Sequence, residues 1–303
     1  MNEERLRLIF SIIINKMKTQ LTFKDRQVVI DPDQPFVIIG ERINPTRRKK
    51  LAEAMAQGDF SIAQQDARAQ VAAGAHVLDV NAGIPGGDEP ALLRSAVEAV
   101  MQVAEMPLCI DTANPEALEA ALSVYPGKAL INSTTAEESM MGRVLPLAKR
   151  YGAAVIGVIT DENGIPPTPQ RRLDVARKLV SRAGEFGVPP EDIVIDCLAL
   201  TVGADSQAGR VTLDAMQLVQ QELGVNMSLG ASNVSFGLPD RKVINVAYLA
   251  LAIARGLTAA ITDPTVPEIQ LTLMACDVLM GRDEYAMRWI KAFRKRSKLA
   301  AGG

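Results

Sequence analysis

The chain has 303 residues, 48% hydrophobic, 22% charged and 4% aromatic, and its 33 basic and 35 acidic residues leave a formal net charge of -2. That balance excludes a disordered chain, and it offers neither the basic excess nor the aromatic platforms of a nucleic-acid binder. No apolar run approaches the roughly 18 residues of a membrane span; the three Cys make no C-x-x-C pair, and a single His leaves no set of imidazoles for zinc. The composition fits a cytoplasmic enzyme the size of one barrel.

Residues 1–35 read as an arm. The run Leu8-Ile9-Phe10-Ser11-Ile12-Ile13-Ile14 lies between Glu3-Glu4 and Lys16, and Lys18 follows. It is too short to span a bilayer and lacks a cleavage site, so the expectation is an N-terminal helix capping the fold or packing on a second subunit. Asp31-Pro32-Asp33-Gln34-Pro35 is a polar linker, and the domain is expected over 36–303.

After the linker a short apolar run recurs eight times, each ending at polar residues: 36–41, 76–81, 107–111, 129–132, 153–161, 193–196, 227–233 and 259–263. Runs of this length rich in Val and Ile predict strands buried on both faces. Helices are predicted between them. Asn114-Pro115 and Thr168-Pro169 supply N-caps with Pro at the first helical position. Asp88 opens a helix whose Leu92, Leu93, Ala96, Val97, Val100 and Met101 share one face. Gly187, Gly256 and Gly281 are stop signals. Strand alternating with helix eight times predicts an α/β fold, a (β/α)₈ TIM barrel, over a doubly wound sheet, because no G-x-G-x-x-G follows the first strand.

In such a barrel the C-terminal strand ends form the mouth. Glu41, Asn44, Asp79, Asn81, Asp111, Asn132, Thr160, Asp161, Asp196, Asn233 and Asp263 fall there. Asp and Asn often merely cap helices, but Asn114 already fills that role after Asp111. The ring is acid and amide, without His, Cys or Lys. A divalent cation is one candidate ligand. A neutral heterocycle with paired N–H donors, such as a 2-amino-4-oxo-pteridine, suits it better, because a carboxylate accepts two parallel hydrogen bonds and Asn both donates and accepts.

The motifs Gly40-Glu41-Arg42-Ile43-Asn44, Leu78-Asp79-Val80-Asn81, Cys109-Ile110-Asp111-Thr112, Ile131-Asn132-Ser133-Thr134, Ile195-Asp196 and Ser232-Asn233-Val234-Ser235 occur in order at strand ends. Over about residues 36–290 the chain resembles the pterin-binding methyltransferases. They include methyltetrahydrofolate:corrinoid methyltransferases and the folate module of cobalamin-dependent methionine synthase. The resemblance implies a dihydropteroate-synthase-like barrel that moves a methyl group between 5-methyltetrahydrofolate and the cobalt of a corrinoid. It implies that Asp111, Asn132 and Asp196 hold the pterin edge and that Asn233 hydrogen-bonds N5. Gly230 would admit the ring, and Arg241 would lie over it. Glu41, Asn44, Asp79, Asn81, Asp161 and Asp263 are the further candidate lining residues, with Asp161 or Glu41 as carboxyls that could bring the N5 proton.

No metal site is expected in the chain itself. His76 lacks the Asp-x-His-x-x-Gly setting of cobalamin ligands, so the corrinoid is expected on a partner protein. Cys109, Cys197 and Cys276 read as small buried hydrophobes, and a homodimer is the expected assembly. The 83–88 loop reads as a flexible βα connection, and the basic stretch 288–298 as a C-terminal helix packed by Trp289, Ile290 and Phe293. Two alternatives are a pterin-condensing synthase and a non-catalytic pterin-binding barrel. The synthase's Ser-Phe-Ser-Asp-Gly-Gly loop is replaced by Asn44-Pro45-Thr46-Arg47-Arg48, and its strand-seven Lys by Ala231-Ser232-Asn233.

Overall fold

The computed structural model describes residues 17–301. Eight parallel strands form the centre: β3 (Val37–Ile43), β4 (Val77–Val80), β5 (Leu108–Asp111), β6 (Leu130–Thr135), β7 (Ala154–Val158), β8 (Ile193–Asp196), β9 (Asn226–Ser228) and β10 (Ala259–Thr262). Their order is β10-β3-β4-β5-β6-β7-β8-β9. The ring closes through a parallel bridge between Gly230 and Ile261 and the Ile261 N–H bond to Leu229 O at 2.9 Å. All eight predicted runs are strands, within a few residues. The seventh is shorter than expected, ending at Ser228, and Ala231–Ser235 turn into a 3₁₀ helix that carries Asn233.

Strand parity explains the core. One set of side chains points into the barrel: Val37 and Ile39, Val77, Cys109, Leu130, Ala154 and Ile156, Val194, Ala259. Their alternates, such as Ile38, Leu78, Ile110, Ile131, Val155 and Ile195, face the helices. Two residues beyond the inward set, the same parity brings Glu41, Asp79, Asp111, Asn132 and Asp196 to the C-terminal opening, and on the last strand it brings Asp263, two beyond Ile261.

The outer layer comprises α1 (Lys49–Ala56), α2 (Ser61–Ala72), α3 (Glu89–Met101), α4 (Pro115–Leu122), α5 (Glu138–Tyr151), α6 (Pro169–Glu185), α7 (Ala208–Leu223), α8 (Arg241–Ala254) and α9 (Pro267–Leu279), followed by α10 (Met287–Ala301). The expected caps form. The side chains of Asp88, Asn114 and Thr168 accept from Ala91, Glu116 and Arg171 N–H, respectively. Leu93, Ala96, Val97 and Val100 bury the expected face of α3, each large apolar side chain worth roughly 1.5–3 kcal/mol. No helix among the described residues is long and apolar enough to cross a membrane.

The arm differs from expectation. The proposed helix around residues 8–14 lies outside the described residues. Its continuation is an antiparallel hairpin, β1 (Thr19–Phe23) and β2 (Arg26–Ile30). Leu21, Val28 and Ile30 alternate onto one face and plug the N-terminal end of the barrel. Asn226 Nδ2 locks the plug by donating to Met17 O, Thr19 Oγ1 and Ile30 O at 2.8–3.0 Å. Alternation of period two, with Lys24-Asp25 at the turn, makes residues 19–30 a hairpin.

Helix α10 also departs from expectation. Trp289 is half-buried as expected, but Ile290 and Phe293 are exposed rather than packed, as is Met287. The Asp283 carboxylate anchors its start by accepting from Arg288 and Trp289 N–H, both at 2.9 Å.

Candidate active site

A cavity of about 720 Å³ opens at the C-terminal end of the barrel. Of the twelve candidate residues it brings nine together: Glu41, Asn44, Asp79, Asp111, Asn132, Gly230, Asn233, Arg241 and Asp263. A cavity of about 440 Å³ at the opposite end, beside Asn226 and Arg282, contains none of the polar strand ends.

Acids and amides of this mouth are linked strand to strand. Asn132 Nδ2 on β6 donates to Asp79 Oδ1 on β4 at 3.1 Å. Asn81 and Asn44 donate to Asp111 Oδ2 at 3.1 and 3.4 Å. The carbonyl sides of these two amides face their own loops, accepting from Gly83 N–H and Thr46 N–H, both at 2.9 Å. Asn81 is thus a support that orients Asp111 rather than a lining residue.

Burial raises several acids, since a charged carboxylate loses hydration there. Glu41 is pushed up to about 7 by burial and by the nearby Asp263 carboxylate, against the hydrogen bond from Ser232 and the charges of Arg241 and Arg42. Asp111 rises to about 6, chiefly by burial. Asp79 is raised well above the usual range by burial and by Asp111 on the neighbouring strand. Asp196 rises to about 6 by burial, although Leu198 and Gly230 N–H groups favour its charged form. At pH 7 Glu41 is therefore close to half-protonated, whereas Asp111 and Asp196 keep only a minor protonated fraction. Such groups accept strongly from a ligand's N–H donors and can exchange a proton.

Two other expectations change. Asp161 does not line the cavity. Its Oδ1 accepts from Asn163 N–H at 2.8 Å within its own turn, and its Oδ2 pairs with Arg171 at 3.2 Å. Asp196 is buried beside Gly230, with Leu198 N–H donating to Oδ1 at 2.7 Å, and it is not on the cavity surface. Asn233 is exposed at the mouth on the 3₁₀ turn rather than on a strand. Arg241 is the first residue of α8 rather than a loop residue, and it donates to Ser235 Oγ and Ser232 O at 3.0 and 2.6 Å.

The strand-end ring is acid and amide, but the cavity also carries cations beyond the expected Arg241. Arg42, Arg47 and Arg48 line it together with Arg241. Arg42 pairs with Asp263 at 3.1 Å and with Asp66 at 3.7 Å, and Arg48 pairs with Asp66 at 2.5 Å. The run Arg47-Arg48-Lys49-Lys50 after the first strand is the sequence signal for this basic flank. Phe236, also on the cavity wall, has no such signal.

The lone imidazole stands apart. His76 Nδ1 accepts from Ile38 N–H at 3.0 Å, and burial together with the charges of Arg288 and Arg26 lowers its titration to about 4, so the ring is neutral. Cys109, Cys197 and Cys276 are free and buried. Among the described residues no group of three or more His, Cys, Asp or Glu is arranged to hold a metal ion.

Comparison with known proteins agrees with this geometry. The family model described as pterin binding enzyme matches residues 40–263. The methylcorrinoid:tetrahydrofolate methyltransferase of Eubacterium limosum is 29% identical over 268 residues, 86% of this chain and 97% of that protein. The methionine synthase of Mycobacterium tuberculosis is 31% identical over 242 residues, 76% of this chain, which spans only 20% of that longer protein. Among solved structures, the dihydropteroate synthase of Yersinia pestis with a pterin–sulfa conjugate superposes with a TM-score of 0.65 at 16% identity, covering 87% of this chain and 99% of that one. The synthase of Stenotrophomonas maltophilia gives 0.61 at 19%, covering 86% and 98%. At these identities the structural likeness establishes the barrel alone.

Proposed function

Because the chain belongs to the pterin-binding enzyme family, we propose that it moves the N5 methyl group between 5-methyltetrahydrofolate and the cobalt of a corrinoid carried by a separate protein. One observation carries the reading. A single cavity joins buried acceptors, an exposed side-chain amide at Asn233, and a carboxyl, Glu41, that titrates at about 7.

A 2-amino-4-oxo-pteridine presents a ring N–H and an exocyclic amine side by side. In this proposal Asp111 accepts from that edge, with Asn132 beside it and Asp196 behind it next to Gly230. Gly230 leaves room for the ring, and Arg241 lies over it. Asn233 donates to N5. A tertiary amine is a poor leaving group, so its departure needs a proton. Glu41 gives that proton to N5, the C–N bonding pair returns to N5, and the methyl group bonds to the electron pair of Co(I). In the reverse direction the Glu41 carboxylate takes the N5 proton as methyl returns from cobalt. The name of the Eubacterium limosum relative runs in that direction, and a group titrating at about 7 serves both. With Asp161 held by Arg171 outside the cavity, Glu41 is the carboxyl assigned to this step.

The corrinoid protein is proposed to dock over the open mouth, and the exposed apolar face of α10 is proposed to support a homodimer in the cytoplasm. A paired assay tests the activity. The protein is mixed anaerobically with 5-methyltetrahydrofolate and Co(I) cobalamin, and separately with dihydropterin pyrophosphate and p-aminobenzoate. Methylcobalamin in the first mixture alone is expected. Dihydropteroate in the second, with no methylcobalamin in the first, would replace this reading with the condensing synthase.

A further inference from the structure

We propose that Gln70 on α2, which lies outside the cavity wall, is a positioning residue for Glu41: its amide holds a bulge in β3 that turns the Glu41 carboxyl into the mouth. The functional weight of this assignment rests on the proton role proposed above for Glu41.

Strand parity sets the problem. Ile39 points into the barrel and Ile43 faces the helices, although the two are four residues apart. An unbroken strand puts such residues on the same face. The register resolves the conflict. Gly40 pairs with Leu78 and Ile43 with Val80, so Glu41 and Arg42 together oppose Asp79. One extra residue of this kind re-aims the side chains around it. Glu41 keeps the inward parity of Ile39, while Ile43 stays fully buried in the outer core. Without the bulge, an Ile43 held against the helices would turn Arg42 inward and Glu41 toward apolar packing.

A bulge disrupts the ladder and leaves backbone groups unpaired, and Gln70 takes one of them. Its side chain is fully buried, and Oε1 accepts from Arg42 N–H at 3.0 Å. That N–H belongs to the peptide linking Glu41 to Arg42, so the bond fixes the direction in which the Glu41 side chain leaves the strand. Gly40 makes room for the amide, since a Cβ there would collide with the same oxygen. Gln70 Nε2 has no hydrogen-bond partner among the described residues, so the oxygen carries the contact. Arg48 donates to Arg42 O, and Asp263 and Asp66 hold the Arg42 guanidinium. The groups acting on Glu41 in this position are the Asp263 and Asp79 carboxylates, the Ser232 hydroxyl and the guanidiniums of Arg241 and Arg42. A charged carboxylate is not tolerated among the helix-facing apolar residues, so loss of the bulge should fray the strand end and hydrate Glu41.

The test is a carbon-13 NMR titration of the unliganded protein labelled at its glutamate carboxyls, with Glu41 assigned by the signal missing from Glu41→Gln. Native Glu41 should titrate at about 7. Gln70→Met, which removes the acceptor, should lower that value by at least about one pH unit toward the ordinary 4.5. Gly40→Ala should do the same by displacing the amide. Gln70→Glu, which keeps an acceptor oxygen and gives up only the unpartnered Nε2, should hold the value at about 7 or above. The pH limb of methyl transfer should move with the NMR value in each variant. A folded Gln70→Met protein whose Glu41 titrates as in the native chain overturns the proposal, whatever its Tm. If that variant does not fold, an unmoved value in Gly40→Ala overturns it instead. A native Glu41 titrating at 4.5 overturns it as well. The titration uses neither folate nor corrinoid, so a protein that shows these shifts but transfers no methyl group sinks the methyl-transfer reading alone.

Discussion

Glu41→Gln isolates the proton that the proposed reaction needs. The substitution keeps the side chain's volume and an oxygen for Ser232 Oγ, which donates to Glu41 Oε1 at 3.3 Å. A carboxyl titrating at its ordinary 4.5 is about 0.3% protonated at pH 7, whereas one raised to about 7 is half protonated. Burial and Asp263 therefore enrich the acid form on the order of 150-fold. A positioned general acid contributes roughly 10²–10⁴ to rate, so the variant should transfer methyl to Co(I) at least about 10² more slowly at pH 7, with a much smaller change in folate affinity. The sign in pH follows. The native rate toward cobalt should fall as pH rises through about 7, because the acid form is lost, and the rate toward folate should rise over the same interval. Glu41→Gln should remove both limbs. Anaerobic single-turnover absorbance of the corrinoid reads these rates, and a variant with the native rate and the native pH limb would refute the assignment.

Four further outcomes are expected. Asn233→Ala should lower turnover by about 10²–10³, as for a lost transition-state donor; full turnover with weakened folate binding would rule that role out. Gly230→Ala should reproduce part of this loss, since an added Cβ would stand 3.0 Å from Asn233 Nδ2. Asp111→Asn should weaken folate binding by calorimetry while changing the unliganded protein's response to pH. Asp111 is raised from 3.8 to about 6 on folding, so its favourable contribution is complete below about pH 4 and is lost as pH rises through 6. The native Tm should decline over that window more than the variant's. Arg172→Leu should destabilise the fold by about 3–5 kcal/mol in chemical denaturation, because it strands the Pro166, Cys197 and Leu198 carbonyls that this 1%-exposed side chain satisfies. Weaker folate binding should follow, as Cys197 and Leu198 directly succeed Asp196.

The barrel was legible because each strand is a short apolar run that stops at a polar residue, and that signal survives without knowledge of side-chain direction. Direction itself was hidden, since strands buried on both faces show no alternation. Only the packed structure separates Ile39 from Ile38 and so shows that Glu41, already at a strand end, shares the inward parity. The hairpin was visible as Leu21, Phe23, Val28 and Ile30 alternating about Lys24-Asp25, but the neighbouring apolar run masked it. Asp161 stood among the candidate lining residues because its partner, Arg171, lies ten residues on near the start of a helix, where the strand-end pattern does not show it. Asp196 could not be distinguished from a lining residue, because burial beside Gly230 depends on how β8 and β9 pair. The arginines of the mouth were present in the sequence from Arg42 to Arg48. Their significance came from the loop that folds them over the cavity, where Asp263 and Asp66 pair with Arg42 and Arg48.

The most direct measurement follows the methyl group itself. The protein is mixed anaerobically with 5-methyltetrahydrofolate labelled in its methyl carbon, together with Co(I) corrinoid, free or on a carrier protein, and the label is located by NMR. The account predicts label on cobalt, with tetrahydrofolate formed in equal amount and the reaction sharply slowed in Asn233→Ala. Label that stays on N5 with both free and protein-bound corrinoid, under conditions where folate binds, would contradict it.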